Sequence, residues 1–167
     1  MRTVLRWLGQ GAVWGVVALI LGVFSTSPSY THLAPGDALI KLSFAHSAQH
    51  KGACHRRTAK EIAALPANMR RPFDCPRERL PVLVEVALDG RLVYRASLVP
   101  TGLSGDGPAR VYRRFVVAAG RHRITVRMRD TDRAEGFDYE ASAERVLAPG
   151  QNLAITFREA TSTFAFL

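Results

Sequence analysis

The stretch LPVLVEVALDGRLVYRASL, residues 80–98, contains two runs in which apolar residues alternate with other residues, one on each side of Asp89–Gly90. The first run ends at Leu88 and the second begins near Leu92. A period of two is typical of a half-buried β-strand, because successive side chains of a strand point to opposite faces of its sheet. An Asp-Gly pair between two such runs favours a type I′ turn, which needs positive φ at both central residues. The stretch therefore predicts a β-hairpin.

The same alternation continues on both sides of the hairpin. Upstream, DALIKLSFAH (residues 37–46) places Ile40, Leu42 and Phe44 on one face of a predicted strand. Downstream, RVYRRFVVAAGRHRITVRMRD predicts a second pair of strands that turns near Ala119–Gly120. Further alternating segments follow at residues 137–146 and 152–157, and STFAFL (residues 162–167) predicts a last short strand.

Seven or eight short strands separated by turns are typical of a sandwich of two antiparallel sheets. We therefore expect a mainly β fold, an antiparallel immunoglobulin-like β-sandwich over residues 37–167. We expect one short helix, in an insertion over residues 47–79, because TAKEIAAL (residues 58–65) has Thr58 followed three residues later by Glu61. That spacing is typical of a capping box at the start of a helix.

The N-terminal segment predicts a membrane anchor. Residues 7–24, WLGQGAVWGVVALILGVF, contain no charged residue and approach the roughly 20 residues that a helix needs to cross a bilayer. A cleaved signal peptide is the alternative, but its apolar core is usually shorter and the residues that follow match a cleavage site poorly. Residues 25–36, STSPSYTHLAPG, have the composition of a linker.

The charges that flank the apolar segment predict its orientation. Arg2 and Arg6 precede it, so residues 1–6 are expected to form a cytoplasmic tip by the positive-inside rule. The domain over residues 37–167 would then lie in the periplasm, tethered by a single pass to a bacterial inner membrane. Outside the cytoplasm, the formal net charge of +9 argues for anionic lipid or an acidic protein as the partner, and against nucleic acid.

The insertion holds both cysteines of the chain, Cys54 and Cys75. In an oxidising compartment two cysteines on either side of one short helix predict a disulfide. The alternative is a metal site, because HSAQHKGACHRR (residues 46–57) concentrates histidines beside Cys54. Thiolate and imidazole ligands from His50, Cys54, His55 and Cys75 would suit copper or zinc. Our preferred interpretation includes no cofactor.

Two groups of arginines are candidates for binding a partner. The first lies in MRRPFDCPRER and comprises Arg70, Arg71, Arg77 and Arg79. The second is an arginine stripe on one predicted strand, Arg123, Arg127 and Arg129. For this stripe the alternative is ion pairing across strands with Asp138, Glu140 and Glu144, because opposite charges on neighbouring strands stabilise a sheet modestly.

The sequence contains no catalytic motif such as G-x-S-x-G or H-E-x-x-H, and we do not expect an enzyme. One anchor helix and one binding domain instead favour an accessory or assembly subunit that docks onto a larger membrane complex, of which a respiratory complex is one example. Two alternatives remain open. They are a periplasmic copper or zinc carrier, and a module that binds anionic lipid or an envelope polymer.

Overall fold

A computed structural model describes residues 2–27 and 33–167, and the chain divides into two compact units, residues 1–34 and 35–167. The main element of the first unit is helix α1 (Arg2–Thr26), which contains the predicted anchor and begins before it. The helix is long and apolar enough to cross a membrane, and none of its apolar window is buried. A signal sequence would meet the same criteria. Part of the predicted tip (Met1) and part of the predicted linker (residues 28–32) lie outside the described residues.

The second unit, described from residue 35 to residue 167, contains ten strands, one α-helix and two single turns of 3-10 helix. In chain order the regular elements are β1 (Asp37–His46), β2 (His55–Arg56), α2 (Ala59–Ala64), β3 (Phe73–Asp74), β4 (Val82–Leu88), β5 (Arg91–Leu98), β6 (Ala109–Ala118), β7 (Gly120–Arg129), β8 (Tyr139–Leu147), β9 (Asn152–Arg158) and β10 (Thr163–Phe166). The 3-10 turns are Ala67–Met69 and Glu159–Thr161. A mainly β fold is thus confirmed.

Eight of these strands form two four-stranded sheets, ordered β10-β9-β1-β6 and β5-β4-β7-β8. The two-residue strands β2 and β3 pair inside the insertion, and such short strands carry no periodicity that a sequence could show. The expectation of purely antiparallel pairing is wrong in one place, because β1 and β9 pair in parallel. Parallel neighbours need a long connection, and here most of the domain lies between the two strands.

The predicted hairpin is confirmed as β4 and β5. Asp89 and Gly90 have φ angles of 53° and 81°, so both central residues of the turn are left-handed as a type I′ turn requires. Strand β4 alternates strictly between buried and half-buried residues. Strand β5 forms an edge of its sheet and is more open, so that Leu92 at its start is half exposed.

The predicted pairing of residues 110–130 is wrong, although both strands exist. Strand β6 pairs with β1, whereas β7 pairs with β4 and β8 in the other sheet. The chain therefore crosses between sheets near Ala119–Gly120 instead of turning back on itself. Gly120 has a φ of +143°, a conformation that residues with a side chain rarely adopt. A glycine at this position therefore allows the backbone to pass from one sheet to the other.

His122 holds this crossing in place. Its Nδ1–H donates to Asp89 Oδ2 at 2.8 Å, and its Nε2–H donates to the Ala118 carbonyl at 2.8 Å. Asp89 also accepts a hydrogen bond from the Arg123 backbone N–H at 2.8 Å. Because both acceptors of the imidazole lack a proton to share, the doubly protonated ring satisfies both contacts.

We expect this contact to make stability depend on pH. The hydrogen bond with Asp89, and then that with Ala118, raises the pKa of His122, so its stabilisation is full below about pH 6.5 and is lost as pH rises through the folded pKa. Hydrogen bonds from His122 and from the Arg123 N–H lower the pKa of Asp89, so its contribution is lost only as pH falls through that lowered value. Urea unfolding at about pH 5.5 and at about pH 8.5 measures this effect. Between these two values, the free energy of unfolding should fall more for the natural chain than for His122→Gln. Equal losses would contradict this role.

The buried residues of the two four-stranded sheets form one hydrophobic cluster. Its largest fully buried members are Ile40, Leu42, Ile124, Met128, Leu147, Ile155 and four valines of β4 and β7. The apolar residues that alternate along β1, β4, β7 and β9 are therefore in the core. Each sheet then has a second face that is turned away from this cluster.

Candidate interaction surfaces

The insertion between β1 and β4 is closed by the predicted disulfide. Cys54 and Cys75 are bonded, with 4.2 Å between their Cα atoms. Next to the disulfide, β2 pairs with β3 through His55 and Asp74. The predicted capping box is also present, since the Thr58 backbone N–H donates to Glu61 Oε2 at 2.6 Å. Helix α2 buries none of its residues, so the insertion is stabilised by the disulfide more than by a hydrophobic core.

Hydrogen bonds and one ion pair join the two ends of the insertion to each other and to the loop that carries Asp106. The Lys51 N–H donates to the Glu78 carbonyl at 2.8 Å, and the Lys51 ammonium lies 2.7 Å from the Glu78 carboxylate. The Arg79 guanidinium donates to the Ala48 carbonyl at 2.7 Å and to the Asp106 carbonyl at 3.0 Å. These contacts fix the two ends of the insertion while its middle remains exposed.

An open groove of ≈ 650 Å³ lies between the insertion and the loop that carries Asp106. Four arginines and two aspartates line it, so the groove carries a formal charge of +2 before histidine is counted. Its charged lining residues are Arg57, Arg71, Arg77, Arg79, Asp74 and Asp106. Exposed Phe73 and Met69 supply apolar contact area beside these charges.

The two aspartates are each engaged by an arginine of the groove. Arg57 lies 3.0 Å from Asp74, and Arg77 lies 2.6 Å from Asp106. The hydrogen bond from Arg77 lowers the pKa of Asp106, which keeps that carboxylate charged. Arg71 has no ion pair or side-chain hydrogen bond within residues 2–27 and 33–167. Its positive charge is therefore available to a ligand.

The four arginines predicted in residues 70–79 have different surroundings. Arg71, Arg77 and Arg79 line the groove, but only Arg71 is unpaired there. Arg70 does not line it, and instead donates to the Leu65 carbonyl at 3.1 Å, which ties it to the end of α2. The first predicted group is thus only partly brought together.

The arginine stripe on β7 adopts the alternative arrangement of pairing across strands. Arg123 lies 2.6 Å from Glu144 and Arg127 lies 3.3 Å from Glu140, both on β8. The hydrogen bond from Arg123 lowers the pKa of Glu144. Arg129 donates to the Ala134 carbonyl at 2.8 Å. Most of the positive charge of this stripe is therefore neutralised by its own sheet.

The predicted set of copper or zinc ligands is not assembled. Cys54 and Cys75 are joined to each other, so neither sulfur is a thiolate. His55 instead lies 3.8 Å from Glu61, and His50 faces the groove. Within the described part of the chain, no group of three or more histidine, cysteine or acidic side chains has the arrangement of a metal site. The disulfide removes the ligands on which this alternative depended.

A set of four unpaired cations lies on the outward face of the sheet β10-β9-β1-β6. We call it the cationic face, and it comprises Lys41, Arg110, Arg114 and Arg158. None of the four has an ion pair or a side-chain hydrogen bond with a described residue. Register places Lys41 directly opposite Arg114. The even spacing of Arg110 and Arg114 along one strand was visible in the sequence, but the presence of Lys41 and Arg158 on the same face was not.

The fold and these surfaces define a mainly β domain that follows an apolar N-terminal helix and carries a basic, disulfide-closed insertion. No family model matches the chain, and a search of curated proteins finds no significant match.

Proposed function

We propose that this chain is a single-pass subunit of a bacterial inner membrane, with a non-enzymatic periplasmic domain that docks onto a larger membrane complex. A respiratory complex is one such partner. We further propose that the two four-stranded sheets form an immunoglobulin-like sandwich. The shared hydrophobic cluster supports this arrangement, and the parallel pair β1–β9 is its one departure from purely antiparallel pairing.

The observation that carries the docking proposal is the basic groove of the insertion. Its walls are held by a disulfide and by backbone hydrogen bonds, so a partner would bind it at little cost in ordering. Unpaired Arg71, together with exposed Met69 and Phe73, offers charge and apolar area at the same place. An acidic segment of a membrane protein has the complementary chemistry.

A tether would strengthen such docking. A helix that crosses the bilayer confines the domain to the membrane surface, where a membrane partner is also confined. A partner can then occupy the groove to a large extent even if its intrinsic affinity for the groove is low. The copper or zinc carrier is not proposed further, because its two cysteines form the disulfide.

Site-specific crosslinking in native membranes tests the docking proposal. A photoreactive residue at Phe73, in the groove, should capture a membrane protein through an acidic segment that mass spectrometry identifies. Arg71→Glu should lower the yield by about tenfold, because it places a like charge against that segment. Arg91→Glu is the matched control, since Arg91 is also exposed and has no side-chain partner among the described residues, but does not line the groove. Equal yields for the two variants would contradict docking through the groove.

A further inference from the structure

We propose that the cationic face binds the headgroups of anionic lipids, so that the domain lies with this sheet against the bilayer surface. This inference rests on the membrane anchor of the proposed function, but not on the groove. The cationic face lies on a four-stranded sheet and the groove lies on the insertion, so the two surfaces share no residue and can be tested separately.

The first support is a repulsion between like charges that no acidic residue of this sheet offsets. Lys41 and Arg114 are directly opposite each other on neighbouring strands, an arrangement that destabilises a sheet when the charges are alike. The only acidic residue at an outward-facing strand position of this sheet is Asp37, two outward positions away from Lys41 at the start of β1. An external anion would relieve the repulsion between the two cations.

The second support is the contrast between the two sheets. On the outward face of β5-β4-β7-β8, arginines meet acids, as in Arg123–Glu144, Arg127–Glu140 and Arg95–Glu85. That face also carries Arg121 and Arg129, so both faces are basic, but only on the cationic face do all the cations lack an acidic partner among the described residues. The two faces therefore differ in how their cations are paired.

Protection of a sheet edge does not explain the cationic face. Charged residues on an edge strand prevent unwanted pairing with another chain, and this could account for Arg110 and Arg114 on β6. Lys41 lies on β1 and Arg158 on β9, however, and both of these strands have neighbours on each side. Interior strands have no open edge to protect.

The third support concerns which kind of anion fits. Between the cations the face presents small residues such as Ser43 and Ala45, and Tyr112 is 60% exposed beside Arg110 and Arg114. Tyrosine is enriched at the headgroup level of membranes, where its ring is partly wet. A sheet face on which small side chains separate the cations suits a broad anionic surface better than a protruding acidic peptide.

The length of the connection makes contact with the bilayer feasible. Ten residues separate Thr26, the last residue of α1, from Asp37, the first residue of β1. A connection of that length reaches about 40 Å at most when fully extended. A domain tethered so closely to a spanning helix meets headgroups at high effective concentration, and four cations are then sufficient for binding.

The test uses the full chain reconstituted in nanodiscs. Ser43→Cys carries an environment-sensitive fluorophore, and nitroxide-labelled headgroups quench it on contact. We expect quenching in discs with about one third phosphatidylglycerol and little in pure phosphatidylcholine. Raising the salt to about 1 M, where the Debye length is about 3 Å, should reverse the quenching. A fluorophore at Ser97, on the outward face of the other sheet, should remain unquenched in both discs.

Charge variants identify the residues responsible. Combined Lys41→Gln, Arg110→Gln and Arg114→Gln should weaken contact on the order of 100-fold, at roughly fivefold for each cation near an anionic surface. The matched control is Arg95→Gln, Arg123→Gln and Arg127→Gln, which removes equal charge from ion-paired positions and should leave the Ser43 signal unchanged.

Three results would overturn the proposal. They are an unquenched fluorophore at Ser43 in anionic discs, equal quenching in neutral discs, and equal loss with the control variant. If Ser43 is unquenched but the cationic-face variant abolishes crosslinking from this face to a membrane protein, the occupant is an acidic protein surface. Crosslinking at Phe73 reports on the groove alone, so the failure of one proposal is distinguishable from the failure of the other.

Discussion

Asp130→Ala should destabilise the domain by about 3 kcal/mol, because it leaves a buried histidine without its partner. His46 Nε2 lies 2.7 Å from Asp130 Oδ2, and the two side chains are only 9% and 8% exposed. Tyr139 adds a longer hydrogen bond to the same carboxylate, at 3.4 Å. Phe157 packs edge-on against the imidazole, with 4.9 Å between the ring centroids. Little water can replace a lost partner in such surroundings.

Urea unfolding of the full chain in detergent, followed by circular dichroism, measures this loss. Asp132→Ala is the matched control, since Asp132 is exposed, lies two residues away and has no side-chain partner in the described part of the chain. It should change stability by less than about 0.5 kcal/mol. Replacing both partners, as in His46→Phe with Asp130→Leu, should recover much of the loss, because no buried imidazole then remains without a partner. A single variant as stable as the natural chain would show that the pair contributes nothing.

The same cluster contains a second polar atom of the imidazole, His46 Nδ1. It is buried and makes no hydrogen bond within the described residues, although Glu159 Oε1 lies 3.4 Å away. Burial, and then the charge of Asp130, raises the pKa of Tyr139, which keeps the phenol protonated and able to donate. The cluster therefore has its polar groups arranged around one carboxylate, and that explains why Asp130 is the position with the largest expected effect.

Loss of the disulfide should release the insertion with little effect on the core. The bond closes a loop with a sequence separation of 21, and a loop of that size corresponds to about 3 kcal/mol of unfolded-chain entropy. Neither α2 nor the following 3-10 turn buries a residue, so few other contacts oppose opening. In Cys54→Ser with Cys75→Ser, amide hydrogen exchange within the insertion should accelerate by about two orders of magnitude.

Two amides report on this opening. The Arg57 N–H donates to the Pro72 carbonyl inside the insertion, and the Val86 N–H lies in the core strand β4. The first should exchange faster in the variant, and the second should not. The natural chain treated with reductant is the matched control for the serine side chains, and it should behave like the variant. Unchanged exchange at Arg57 would show that the insertion is ordered without its disulfide.

Local sequence patterns predicted much of this structure correctly. The alternation in residues 80–98 and the Asp89–Gly90 pair determine the hairpin through the two-residue period of a strand and the φ angles of one turn. Thr58 and Glu61 determine the capping box for an equally local reason, since both partners lie within one turn of helix. The disulfide followed from having only two cysteines outside the apolar segment. The hairpin and the capping box depend only on residues that are near in sequence. The disulfide has only one possible pairing, because the chain has two cysteines.

Pairing between strands was decided by the tertiary structure alone. A period of two assigns a side chain to a face but does not say which strand lies beside it, and register depends on how the sheets pack. The crossing at Gly120, the parallel pair β1–β9 and the contact of His46 with Asp130, which is 84 positions away, all depend on packing of this kind. The same pairing neutralises Arg127 with Glu140 and sets Lys41 against Arg114. The sequence by itself therefore determined where strands, turns and the disulfide form, whereas only the folded sheets decided which charges remain exposed and unpaired.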